Sequence, residues 1–277
     1  MTVTDELIEL RGLRFHYRDW SGPRPDAPDL VLLHGFTGHA RSWDAFAQGM
    51  SDRYRVLALD QRGHGESAWA EPDKYGAPEM VDDLAAFVTA LGLKRFSLLG
   101  LSMGGNVAIH YGGRKPPELE RLVIVDIAPE IVTAGATRIQ TGVRASDVFE
   151  SREAAFAAAR AGNPVPPEAH HRHRVDHSLM RTEDGRWTYR YDRALRSPGG
   201  AVRIRDPEAG WRAVEAFAVP TLLVRGENSD ILSPELAQKM VALNPNVTLV
   251  TIPGSGHSVP LDKPDEFLAA CREFLKG

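Results

Sequence analysis

The chain has a single cysteine in 277 residues, Cys271, so it can form no intramolecular disulfide and no cysteine-only metal site. That usage suits a reducing compartment, and a cytoplasmic location is the expectation. Long hydrophobic runs are also missing. Stretches such as Leu30 to Leu33 and Thr221 to Val224 fall far short of the roughly 20 apolar residues that span a bilayer, so no membrane association is expected. The opening residues carry Asp5, Glu6 and Glu9 and lack the basic start and apolar core of a signal peptide. There is no basic surplus, since 33 Lys and Arg stand against 37 Asp and Glu, a formal charge of −4. Nucleic acid is held by dense basic surface, so it is not an expected partner. No glycine-rich loop ends in Lys-Ser or Lys-Thr to cradle a phosphate, and no cofactor is implied.

What is present is the composition of a globular protein, 43% hydrophobic and 25% charged, long enough to bury a large core. Short apolar runs alternate with stretches of helical periodicity, the pattern of βαβ units and a parallel sheet covered on both faces. Core strands are expected at Leu30 to Leu33, Arg55 to Leu59, Phe96 to Leu99, Leu122 to Val125, Thr221 to Val224 and Val247 to Ile252. Glu6 to Leu10 and Leu13 to Tyr17 read as an antiparallel hairpin at the sheet edge, which brings the sheet to about eight strands. The spacing predicts helices over Ala77 to Leu91, Met103 to Gly112 and Asp265 to Leu275. Between residues 128 and 216 the β-core runs stop. An alanine-rich helix (Arg152 to Ala161), a Pro-rich loop (Asn163 to Pro167) and a His-rich segment (Ala169 to His177) take their place. Residues 1–127 and 217–277 are therefore expected to form one α/β core, with 128–216 as an inserted, mainly helical lid.

Gly100-Leu101-Ser102-Met103-Gly104 follows a strand and opens a helix, the context of a Gly-x-Ser-x-Gly nucleophile elbow. The helix beginning at Met103 turns backbone N–H groups and its positive dipole end toward charge developing at Ser102. A serine hydroxyl needs a base. His257 lies in the glycine-rich loop Pro253-Gly254-Ser255-Gly256-His257 after the last strand, where α/β sheets place reactive groups. The base in turn needs an orienting carboxylate, and Asp230, after the strand Thr221 to Val224, is the expected one. Asp126 is the second candidate and Glu227 the third.

With these motifs the sequence resembles the α/β-hydrolase fold family, serine-nucleophile branch, and its small bacterial carboxylesterases and enol-lactonases in particular. The resemblance covers Leu30 to Ile127 and Val219 to Leu275, and includes His34-Gly35-Phe36 and Asp60-Gln61-Arg62-Gly63-His64-Gly65-Glu66-Ser67. It implies an oxyanion hole made by the backbone N–H groups of Phe36 and Met103, and a structural turn in which Asp60 and Arg62 pair. His34 and His64 are read as turn-supporting hydrogen-bonders. A serine rather than an aspartate nucleophile argues against haloalkane dehalogenase and epoxide hydrolase chemistry, and Leu101 ahead of Ser102 makes a carbon–carbon bond hydrolase a weaker option than an esterase or lactonase.

Among the His-rich residues His170, His171, His173 and His177, the pair His173 and His177 has metal-ligand spacing. No carboxylate completes the pattern, and Arg172 and Arg174 would repel a cation, so no metal is expected. The same basic segment could meet an anionic substrate. Phe36, Trp187 and Val259 are the expected substrate contacts, with Tyr189, Tyr191 and Trp211 divided between pocket and anchor. The expected activity is hydrolysis of a small-molecule carboxylic ester. The alternatives are a lactonase or carbon–carbon hydrolase, or a signalling protein that keeps the fold to bind a ligand.

Overall fold

Parallel strands buried on both faces are written as unbroken apolar runs, and those runs become the centre of the sheet. The computed structural model describes residues 2–132, 147–196 and 206–276. Strands β1 (Val3–Leu10), β2 (Leu13–Trp20), β3 (Asp29–Leu33), β4 (Arg55–Leu59), β5 (Phe96–Leu101) and β6 (Leu119–Val125) come first. Three short strands follow, β7 (Val148–Phe149), β8 (Leu179–Arg181) and β9 (Trp187–Tyr189), and then β10 (Thr221–Gly226) and β11 (Val247–Ile252). The main sheet has eight strands in the order β1-β2-β4-β3-β5-β6-β10-β11. β1 pairs antiparallel with β2, and β2 with β4; the remaining pairs are parallel.

Side chains alternate across each strand, which divides the core into two layers. Val31, Leu33, Leu57, Leu59, Leu98 and Ile124 face one layer, and Leu30, Leu32, Val56, Leu99, Val123 and Val125 the other. Helices α1 (Asp44–Met50), α2 (Ala77–Ala90) and α3 (Met103–Gly113) precede an insertion that holds α4 (Arg152–Gly162) and α5 (Glu168–Ser178). α6 (Pro207–Glu215) closes the segment 128–216, and α7 (Pro234–Leu243), α8 (Val259–Asp262) and α9 (Pro264–Phe274) follow it. α2 and α3 cover the first layer; α1 and α9 cover the second, where Cys271 is fully buried and burial pushes its thiol pKa up. Among the described residues no helix is long and apolar enough to cross a membrane.

Of the segment 128–216, residues 133–146 and 197–205 lie outside the described residues. The described part contains α4, α5 and a small antiparallel sheet, β7-β9-β8, around its own apolar cluster of Ala155, Phe156, Val175 and Leu179. α4 matches the expected alanine-rich helix and starts at Ser151, whose side chain accepts from the Ala154 N–H. The His-rich segment is α5. Among the described residues, two seams join the segment to the sheet end, beside a bond from Asn163 Nδ2 to Asp262 at 2.7 Å. Gly65 N donates to Arg190 O at 3.0 Å and Asp192 N to Gly63 O at 2.8 Å, with buried Tyr191 bridging His64. At the second seam, His39 Nε2 meets the Arg174 carbonyl at 3.1 Å and His173 Nε2 meets Asp44 at 3.0 Å.

Candidate active site

Four loops at the carboxyl edge of the parallel strands converge on one cleft. Ser102 follows β5 with φ +52° and ψ −111°, a left-handed backbone that a residue other than glycine adopts only when its surroundings impose it. The glycines beside it impose it. A Cβ on Gly100 would lie 2.2 Å from Gly104 O, and one on Gly104 would lie 2.5 Å from Leu33 O. The turn is thus packed backbone to backbone, and Ser102 stands clear at the N-terminus of α3.

His257 Nε2 lies 2.9 Å from Ser102 Oγ. Its Nδ1 lies 2.7 Å from Asp126 Oδ2. This corrects the choice of Asp230: the carboxylate against the imidazole is Asp126, which directly follows β6 and is fully buried. In register Leu101 pairs with Val125, so Ser102 and Asp126 leave neighbouring strands side by side. The loop that was expected to supply the acid supplies donors to it instead. Gly226 N donates to Asp126 Oδ1 at 2.8 Å, and Ser229 Oγ donates to Oδ2. His257 belongs to the loop after β11 and must cross the end of β10 to reach Asp126. Gly226 permits the crossing, because a Cβ there would lie 2.1 Å from Gly256 O. The sequence signal was available in Asp126, which ends a core strand without an intervening loop, and in Gly226, which ends the strand between.

Since a carboxylate only accepts, Nδ1 donates to Asp126, which leaves the Nε2 lone pair for the Ser102 hydroxyl. The arrangement can therefore withdraw a proton from Ser102. Gly35 packs close behind the serine, 3.3 Å from Ser102 Cβ to an ideal Cβ. The backbone N–H groups of Phe36 and Met103 have no acceptor among the described residues.

The neighbouring histidines are fixed and neutral. His34 Nδ1 donates to Gly35 O at 2.8 Å and its Nε2 accepts from Gln61 N at 3.0 Å. His64 Nδ1 donates to Arg62 O at 3.0 Å. Burial drives the pKa of His34 down to about 4 and that of His64 to about 3, so both support turns rather than carry protons at neutral pH. Asp60 and Arg62 do not pair with each other, contrary to expectation. Asp60 accepts from His16 Nδ1 at 2.7 Å and from the Ala40 and Glu66 N–H groups, while Arg62 grips Asp83 at 2.5 and 2.6 Å.

The cleft is lined by Phe36, Leu101, Ser102, Arg174, His257 and Leu261 among others. Phe36 is on the cleft wall, and its role as a substrate contact belongs to the function proposed below. Trp187 is not on that wall: it sits in β9 between the guanidinium groups of Arg152 and Arg181, at 5.2 and 4.8 Å, and packs on the insertion's own cluster. Val259 is corrected as well. It is fully buried against the core, and its neighbours Ser258 and Pro260 line the cleft instead. Tyr191 and Tyr189 stack on each other, with Tyr191 against Phe36 at 5.3 Å, and Lys239 caps the Trp211 ring at 3.8 Å. These aromatics anchor the insertion. Among the described residues no group of three or more His, Cys, Asp or Glu is placed to hold a metal.

Comparison with known proteins identifies the family. The sequence matches the alpha/beta hydrolase family over residues 30–270. A 3-hydroxybutyrate-oligomer hydrolase of Cupriavidus necator is 29% identical, with 98% of this chain and 96% of that protein aligned. An esterase of Mycobacterium tuberculosis is 30% identical over 92% of this chain and 84% of its own. The crystal structure of an alpha/beta hydrolase from Novosphingobium aromaticivorans matches with a TM-score of 0.89 at 30% identity, covering 99% of this chain and 98% of that one.

Proposed function

Because the chain belongs to the alpha/beta hydrolase family, we propose that it is a serine hydrolase that cleaves small to medium carboxylic esters through an acyl-enzyme. One observation carries this reading: the hydrogen-bonded chain from Ser102 Oγ through His257 to Asp126, with contacts of 2.9 and 2.7 Å. Ser102, His257 and Asp126 form the catalytic triad. His257 takes the hydroxyl proton as Ser102 attacks the ester carbonyl, and Asp126 stabilises the imidazolium that results. The tetrahedral oxyanion is bound by the free N–H groups of Phe36 and Met103, the latter aided by the α3 dipole. The oxyanion collapses, the alcohol leaves with the His257 proton, and water activated by the same imidazole releases the acid and restores Ser102.

Residues 128–216 act as the lid over this site. Arg174 of α5 on the cleft wall and the seams at His39 and Tyr191 support that role. The similarity to an esterase supports the ester as the scissile group. The experiment is active-site labelling with a fluorophosphonate, mapped by mass spectrometry, alongside turnover of p-nitrophenyl acetate, butyrate and octanoate by wild type and Ser102→Ala. Stoichiometric labelling of Ser102 is expected, with turnover lost in the variant. An unlabelled Ser102, or ester turnover that survives its removal, overturns the reading.

A further inference from the structure

The cleft that holds Ser102 and His257 also holds a cation. Arg174 lines it from α5, opposite Leu101 and Phe36. A guanidinium carries five N–H donors, yet among the described residues Arg174 uses them for one hydrogen bond, Nη2 to Thr37 Oγ1 at 3.3 Å. The other charges of α5 are engaged elsewhere, Arg172 with Glu168 and Asp176 with Arg152. Asp262 is the acid whose field reaches the guanidinium, but its carboxylate is occupied by Asn163 Nδ2 at 2.7 Å and Gly256 N at 2.8 Å. Residues 133–146 and 197–205 contain no Asp or Glu, so their sequence offers no carboxylate either.

This cation is placed, not free to wander. Its own carbonyl accepts from His39, and the loop it touches at Thr37 is the one that carries Phe36. Burial lowers the Arg174 pKa, and the field of Asp262 offsets only part of that effect. The charge balance points the same way: residues 128–216 hold 14 Arg against 12 Asp and Glu, in a chain whose formal charge is −4. A basic element is thus laid over an acidic body, with one arginine unpaired in the cleft.

Resting on the hydrolase reading above, we propose that Arg174 is a specificity residue that binds a carboxylate of the substrate, and that the substrate is a monoester of a short dicarboxylic acid. A guanidinium can take both oxygens of a carboxylate at once, and the desolvated site strengthens the contact. The free carboxylate fixes the far end of the acyl chain and leaves the ester carbonyl facing Ser102.

The test compares monomethyl glutarate with its neutral isostere methyl 5-methylhexanoate by pH-stat, in wild type, Arg174→Gln and Arg174→Lys. Wild type is expected to favour the anionic ester by about 10- to 100-fold in kcat/KM, mostly through KM, on the scale of a charged hydrogen bond. Arg174→Gln should erase that ratio and Arg174→Lys should keep part of it. A wild type without the preference, or an Arg174→Gln that lowers both esters by the same factor, overturns the assignment, and the wild-type comparison decides even if a variant does not fold. Calorimetry of monomethyl glutarate on Ser102→Ala, with and without Arg174→Gln, separates the two readings. Binding that depends on Arg174 without any ester turnover upholds the carboxylate site and sinks the esterase. Ester turnover with no such binding sinks the carboxylate site alone.

Discussion

An imidazole set between a hydroxyl and a carboxylate is a base toward the hydroxyl in only one tautomer, and the carboxylate on Nδ1 selects it. Asp126→Asn preserves shape but can present an N–H to Nδ1, which moves the imidazole proton to the side of Ser102. Ester kcat should then fall by about 10³- to 10⁴-fold, whereas Asp230→Asn should stay within about threefold of wild type. Steady-state kinetics on the pair reads the difference, and the opposite ranking would return the role to Asp230. The serine and the histidine were legible in the sequence because each is specified locally, by the glycines at 100 and 104 and by the loop 253–257. The acid was less plain, since Asp126 and Asp230 both come after an apolar strand and both give the chain order Ser, Asp, His; the one difference is that Asp126 follows its strand directly and Asp230 stands beyond a loop. Trp187 and Val259 failed as contacts for a related reason. Which way a side chain points depends on its element's packing partners, and sequence position does not fix those.

At the scale of elements, the site depends on how closely the His257 loop can cross β10. Gly226→Ala places a methyl 2.1 Å from Gly256 O, so the loop must lift and carry His257 away from both partners. Overpacking of this kind costs about 1–3 kcal/mol, and a displaced base should lower kcat at least tenfold, since small misplacements cost about 10²-fold. Thermal unfolding and kinetics on the one variant separate the two losses; full kcat with an unchanged melting temperature would show that the crossing does not matter. Five of the six core strands were legible because burial on both faces leaves no polar alternation to confuse their reading, and β11, an edge strand with Thr248 and Thr251 exposed, was legible from its β-branched run. β7, β8 and β9 were not. They span only two or three residues each, β8 and β9 mix polar with apolar side chains, and all three pair within the insertion rather than with the main sheet.

For the molecule as a whole, buried neutral histidines set the acid limit. His34 and His39 are held at about 4 and His64 at about 3, all by burial, against about 6.5 in the unfolded chain. Between those values the unfolded chain binds more protons, so stability is complete above pH 6.5 and declines as pH falls toward 4. Each histidine contributes a slope of up to about 1.4 kcal/mol per pH unit within that window. His16 and His173, whose pKa values are raised, act in the opposite sense, with contributions present below pH 6.5 and lost above it; Asp60, held at about 2, keeps its contribution until pH falls below about 3.8. Melting temperatures measured at pH 7, 6 and 5 should therefore fall steadily, and a flat series would contradict the burial argument. The weakness should also have a location. His64 bridges Tyr191 beside the bonds from Gly65 to Arg190 and from Asp192 to Gly63, so its protonation charges one seam between insertion and sheet. Hydrogen exchange at pH 5, corrected for intrinsic rates, should release the Gly65 and Asp192 amides ahead of those in β3 and β5. Release in step with the central strands would mean that the molecule opens as one unit instead.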